Sequence, residues 1–202
     1  MSRRLRLAVL LAGLMACAHL PGAPRALREC PGTLRSTDEI AGDFRLEQSV
    51  RIRAGQREIA LRLAAEKRGR RLVVVGINAF GAVVFESVQT GEELSLDGLP
   101  APALGVPAIN VLRDLHRVRF LTADAPRDGG IAEAQRDGIR ITEIWRGAEL
   151  ERRRFERASG GSAQVVTVVY GSEPGGAPTA TLDNESCGYI ATFVTIDEES
   201  LP

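Results

Sequence analysis

The 202-residue chain carries 26 basic and 26 acidic side chains, for a formal net charge of zero, and only 4% of it is aromatic. Gripping phosphates takes an excess of Lys and Arg, and stacking on bases or sugars takes rings. The composition offers neither, so nucleic acid is not an expected partner.

The chain opens MSRRLRL, where Arg3, Arg4 and Arg6 stand ahead of an apolar run from Leu7 to Ala16. A run of about ten residues is half of what a membrane-crossing helix needs, so residues 1–16 read as a signal peptide. Leu14, Met15 and Ala16 then lead into Cys17. That series resembles the bacterial lipobox, in which a leucine three places before the cysteine and a small residue next to it direct acylation of the thiol and cleavage before it. Ala16, Cys17 and Ala18 also make an A-x-A site for secretory cleavage without lipid, and that alternative stays open. In the lipidated reading Cys17 is the attachment site, and its acyl chains, worth about 0.8 kcal/mol per buried methylene, hold the protein on a membrane. Ala18 in place of aspartate points, by resemblance to enterobacterial sorting, to the outer membrane. Loss of residues 1–16 removes three of the 26 basic residues and no acid, leaving 23 against 26. Residues 17–29, with Pro21, Gly22 and Pro24, read as a lipidated tether. Residues 30–202 suit one domain with a sizeable core.

Within that domain the first pattern has period two. In DFRLEQSVRIR, Phe44, Leu46, Val50 and Ile52 share one side and Arg45, Glu47, Arg51 and Arg53 the other, as in a strand with one wet face. REIALRLAAEK repeats it with Ile59, Leu61 and Leu63. RRLVVVGINAF and AVVFESVQ are more continuously apolar, with Gly81 marking a turn between them. A short strand follows around Glu93 to Leu96, and prolines 100, 102 and 107 punctuate a loop. In PAINVLRDLHRVRF the period changes: Ile109, Leu112, Leu115 and Val118 recur at helical intervals, and Pro107 stands where a helix can begin. Strands then resume in GIRITEIWRG, ELERRRFERA, AQVVTVVYGS after Gly160 and Gly161, PTATLDN after Gly175 and Gly176, and GYIATFVTI. The expectation is a mainly β, α+β domain of about nine or ten antiparallel strands with one helix.

With Cys17 acylated, Cys30 and Cys187 remain as an even pair in an oxidising compartment. They are read as a disulfide, with two free buried thiols as the alternative. No C-x-x-C occurs, and no metal site is expected. Arg152, Arg153 and Arg154 lie among Glu149, Glu151 and Glu156, so the expectation is a solvated, internally compensated face and not an anion site. His116, beside Asp114, is the domain's one histidine and is expected on the surface or in a groove. There is no G-x-S-x-G elbow. Gly76 and Gly81 mimic phosphate-loop spacing, but Ala82 and Val83 follow in place of Lys and Ser or Thr. No catalytic residue and no cofactor is expected. Trp145 and Tyr189 are expected in core roles.

A further pattern runs through the whole order. A lipobox is followed by a G-x-F-x-L-x-Q strand (Gly42, Phe44, Leu46, Gln48), apolar hairpins with a mid-strand glycine, a V-L-R-D-L helix and a terminal G-Y strand. This resembles an uncharacterised bacterial lipoprotein family associated with aryl-polyene biosynthesis clusters, itself similar to the LolA and LolB lipoprotein carriers. The resemblance spans nearly the whole mature chain, with Asp114–Leu115 and Gly188–Tyr189 its most family-like points. It implies a curved antiparallel half-barrel plugged by a helix that shields acyl chains. Phe44, Leu46, Val50, Ile52, Leu61, Leu63, Leu112, Leu115, Tyr189 and Phe193 are the candidate cavity lining, and the same residues would serve equally as a closed core. The expected function is a non-catalytic lipoprotein on the periplasmic face of the outer membrane, binding or helping to place an acyl-chain or lipoprotein cargo. The alternative is an envelope accessory or scaffold protein with a closed core and an envelope protein as partner.

Overall fold

Alternating apolar and charged side chains commit most of the chain to one open antiparallel sheet. The computed structural model describes residues 27–123, 129–159 and 162–202. The signal peptide, Cys17 and most of the tether lie outside the described residues. A 3-10 turn at Thr37–Glu39 precedes five strands: β1 (Asp43–Ala54), β2 (Arg57–Arg68), β3 (Arg71–Asn78), β4 (Val83–Thr90) and β5 (Glu93–Gly98). Two helices follow, α1 (Ala101–Leu104) and α2 (Ala108–Arg119). Six strands complete the chain: β6 (Gly130–Arg136), β7 (Ile139–Arg146), β8 (Glu149–Ser159), β9 (Ser162–Ser172), β10 (Pro178–Asn184) and β11 (Tyr189–Leu201).

The spatial order is β5-β4-β3-β2-β1-β11-β10-β9-β8-β7-β6. Two meanders, one on each side of α2 in the chain, are therefore zipped together by β1 and β11, strands of 12 and 13 residues. Val50 stands opposite Leu61 on one side and Phe193 on the other, and Ile52 opposite Ile59 and Ala191. Their side chains share the inner face because pleating sends alternate residues the same way. The outer face of β1 and β2 carries exposed ion pairs such as Arg45–Glu66 and Arg53–Glu58, which solvent screens and which contribute little. Register shifts at Glu47/Gln48, Gly76/Ile77 and Ile144/Trp145 add the local bend by which bulges curve a sheet. At Gly76 a Cβ would overlap the Phe85 ring, so glycine is what lets that ring lie across β3.

Eleven strands form among the described residues, one more than the alternation suggests. The strand missing from the sequence reading is β6, GIAEAQR. Its inward positions are the small Ala132 and Ala134, so its apolar period is faint, and pairing with β7 makes it a strand. Strand β11 also runs on to Leu201 through the polar DEES, because β1 supplies partners from Asp43 onward.

Helix α2 begins after Pro107, as expected, and lies against the sheet's inner face through Val111, Leu112, Leu115 and Val118, all buried. Its polar side is covered too. Residues 27–36 run along it as a strap, and side chains at helical spacing hold the strap's backbone. Asn110 accepts from the Cys30 N–H (2.8 Å) and donates to the Arg28 carbonyl (2.9 Å). Arg113 donates to the Cys30 carbonyl (2.6 Å) and Arg117 to the Pro31 carbonyl (2.7 Å). Leu27, Arg28 and Glu29, which the sequence assigns to the tether, already engage the domain through Gly105, Ser186 and Arg113. Cys30 and Cys187 are bonded, their Cα atoms 6.1 Å apart, which ties the strap to the turn between β10 and β11.

Candidate functional site

Two arrangements around α2 combine side chains from distant parts of the chain. The first is a buried polar seam. Asp114 accepts from the Tyr189 hydroxyl (2.5 Å) and from Arg117 (2.7 Å), and the Asn184 amide donates to the same hydroxyl (3.1 Å). One turn further, Arg153 donates to Glu143 (2.6 Å) and to the carbonyls of Arg117 (2.8 Å) and Val118 (3.0 Å). The Tyr170 hydroxyl donates to the Val118 carbonyl as well (2.9 Å). The last turn of α2, whose carbonyls have no partner within the helix, is thus capped by two side chains of the C-terminal meander. Burial pushes the Asp114 carboxyl upward against the opposing pull of Arg117, and burial likewise raises the Tyr170 and Tyr189 hydroxyls. Each donor in this seam meets an acceptor away from water, so it works as a clamp on the helix.

This corrects two expectations. The arginine cluster is not wholly a solvated face: Arg152 and Arg154 point outward, but Arg153 is buried with Glu143. The alternation of β7 and β8 decides this, since Glu143 shares its side with Ile139 and Ile141, and Arg153 with Phe155. His116 is likewise buried, not on the surface or in a groove, because the strap covers that side of α2. Its Nδ1 accepts from the Arg35 N–H (2.9 Å), and its ring meets Phe120 edge-on at 5.1 Å. The imidazole is therefore neutral with its proton on Nε2. Desolvation, with a smaller contribution from Arg35, lowers its pKa to about 3.

A base whose folded pKa is depressed contributes stability that is whole above its unfolded pKa, about 6.5, and is lost as pH falls below it. Between pH 7 and pH 5 the domain should lose about 2 kcal/mol on this account. Urea unfolding at the two pH values measures it. His116→Gln, which keeps an acceptor for Arg35 but does not titrate, should flatten that difference.

The second arrangement is an open cleft of about 420 Å³ where β1 begins and α2 ends. Phe44, Phe120, Ile40 and Ala41 give it an apolar floor, and the two phenyl rings lie 5.7 Å apart. Its rim carries the ion pairs Arg35–Glu39 and Arg119–Glu198. Of the ten residues considered as cavity lining, Phe44 alone opens onto this cleft. Leu46, Val50, Ile52, Leu61, Leu63, Leu112, Leu115, Tyr189 and Phe193 are all at most 5% exposed and belong to one core with α2. Phe120, Ile40 and Arg35 went unnoticed in the sequence because the cleft joins segments more than seventy residues apart.

A family described as protein of unknown function, DUF3261, matches residues 45–197. The chain belongs to this family. No curated protein matches the sequence. The family's span covers nearly the whole sheet and α2, and so both members of the Glu143–Arg153 pair and the Asp114–Tyr189 contact. Cys17, the strap and Phe44 precede it.

Proposed function

We propose that this family member is a lipid-anchored protein of the bacterial envelope that binds the acyl part of a lipidic molecule and takes part in its transport or placement, without catalysis. Cys17 would carry the anchor, and Ala18 favours the outer membrane. The observation that carries the reading is the Phe44–Phe120 cleft. Its volume is in the range of small-molecule sites, and an acyl chain leaving water for such a floor gains about 25 cal/mol per Å² of apolar surface, with no reactive group required. The rim's arginines are each paired with a carboxylate, Arg35 with Glu39 and Arg119 with Glu198, so recognition would rest on the apolar floor. The open antiparallel sheet with α2 against its inner face is consistent with the half-barrel that the resemblance implies.

The second reading is an envelope accessory or scaffold protein with a closed core. It draws on the buried state of the nine remaining lining residues and on the clamp that holds α2 in place. Titration of the full chain with a fluorescent fatty acid separates the two. Phe44→Ser together with Phe120→Ser should weaken binding at least about tenfold while the far-ultraviolet circular dichroism stays unchanged. Absence of binding by the unaltered chain, together with crosslinking to one stoichiometric envelope protein, would leave the scaffold reading in place.

A further inference from the structure

The hairpin between β3 and β4 ends in Ala79-Phe80-Gly81-Ala82, and Phe80 is 95% exposed with Val83 at 61% beside it. Leu99, 48% exposed, joins this patch through its N–H to the Val84 carbonyl (2.8 Å). Neither residues 72–85 nor residues 98–112 contain a charged side chain. The turns at the other ends of these strands are charged instead, with Arg68, Arg70 and Arg71 between β2 and β3 and Glu92 and Glu93 between β4 and β5.

The apolar tip is also prepared to leave water. The Asn78 side chain accepts from the N–H groups of Phe80 (2.9 Å) and Ala82 (3.0 Å). The Asn78 backbone accepts from the Gly81 N–H (3.0 Å) and donates to the Ala82 carbonyl (2.9 Å). With the N–H groups of Phe80, Gly81 and Ala82 satisfied within the turn, part of the cost of entering hydrocarbon is removed.

The N-terminal strap emerges at this same end. Leu27 donates to the Gly105 carbonyl (3.2 Å), within the uncharged stretch, and the disulfide at Cys30 holds the strap there. From Cys17 to Leu27 is ten residues, a reach of at most about 35 Å when fully extended. The opposite rim lies a β1 length away, about 40 Å. A domain held by an anchor at Cys17 would have to pull the tether essentially straight to turn its charged rim to the bilayer, at the full cost in chain entropy. The β1–β2 turn at the same end carries Arg53 and Glu58 as an exposed pair, and Arg28, which donates to the Ser186 carbonyl there, would stand at headgroup depth, where basic residues suit anionic lipid.

We infer that the end of the half-barrel bearing Phe80, Val83 and Leu99 faces the bilayer that holds the anchor and inserts its hairpin tip into it. The inference rests on the lipid-anchored reading. It is tested with the full acylated chain in vesicles of phosphatidylethanolamine and phosphatidylglycerol with brominated acyl chains. Phe80→Trp and Glu92→Trp are each made in a Trp145→Phe background, so that the probe is the single tryptophan. Bromine should quench the Phe80→Trp chain by more than half and leave the Glu92→Trp chain unchanged. Intact mass, which shows whether Cys17 is acylated, is read separately. An acylated chain whose Phe80→Trp probe stays bright, or whose two probes are quenched alike, overturns the orientation and leaves the anchor standing. A bright probe that photocrosslinks to a protein assigns the tip to a protein partner and also overturns it. A chain without acyl mass removes the anchor, and the orientation with it.

Discussion

Replacing Glu143 with alanine should lower the unfolding free energy by about 3–5 kcal/mol, the cost of leaving a buried charge without its partner. The side chains of Arg153 and Glu143 are 4% and 0% exposed, and Arg153 has no water to turn to once the carboxylate is gone. Part of the loss should appear in α2, because Arg153 also caps the Arg117 and Val118 carbonyls. Urea unfolding followed by circular dichroism measures it. The paired change Glu143→Leu with Arg153→Met should restore much of the stability, since a buried ion pair is often no better than well-packed apolar residues of similar size. If Glu143→Ala costs less than about 1 kcal/mol, Arg153 reaches solvent and the clamp on the helix is not the buried device described above.

Reducing the Cys30–Cys187 bond should cost a similar amount by a different physical route. It closes a loop of 157 residues, and the chain-entropy model assigns such a loop about 5 kcal/mol. The effect acts mainly on the unfolded chain, which without the bond is free to separate its ends. In the folded protein the strap should loosen as well, because only Leu27, Arg28 and the polar stripe of α2 then hold its first residues. Unfolding with and without reductant, set against a Cys30→Ala, Cys187→Ala chain that should ignore reductant, isolates the contribution. Hydrogen exchange at residues 27–36 reports the strap: faster exchange on reduction is expected, and unchanged exchange would show that Asn110, Arg113 and Arg117 suffice to hold it.

The sheet was legible where its signal is local. In β1 and β2 large apolar residues alternate with charged ones, so a short window reveals both the strand and its inward face. In α2 the spacing of Leu112, Leu115 and Val118 does the same for a helix, and Pro107 marks its start. Strand β6 escaped because alanine contrasts weakly with polar neighbours. The cleft was half legible: Phe44 was picked out from its strand, whereas Phe120 follows the helix and Ile40 precedes the sheet, and neither belongs to a repeating pattern. Glu143 and Arg153 could have been found by carrying the strand alternation through to its conclusion, since both fall on inward positions, but arginine beside glutamate in the sequence suggests a wet surface.

The strand and helix segments and the turns at the glycines could be read from the sequence alone, because each is written in residues a few positions apart; the cysteines, 157 positions apart, gave only an even count. Tertiary structure alone decided that β1 pairs with β11, that the strap buries His116, and that α2 fills the concave face. Those outcomes depend on contacts between residues 43–54 and 189–201, or between the strap and a helix some eighty positions away. No local periodicity carries such contacts. They are selected only when burial of the whole apolar face offsets the entropy of closing such long loops.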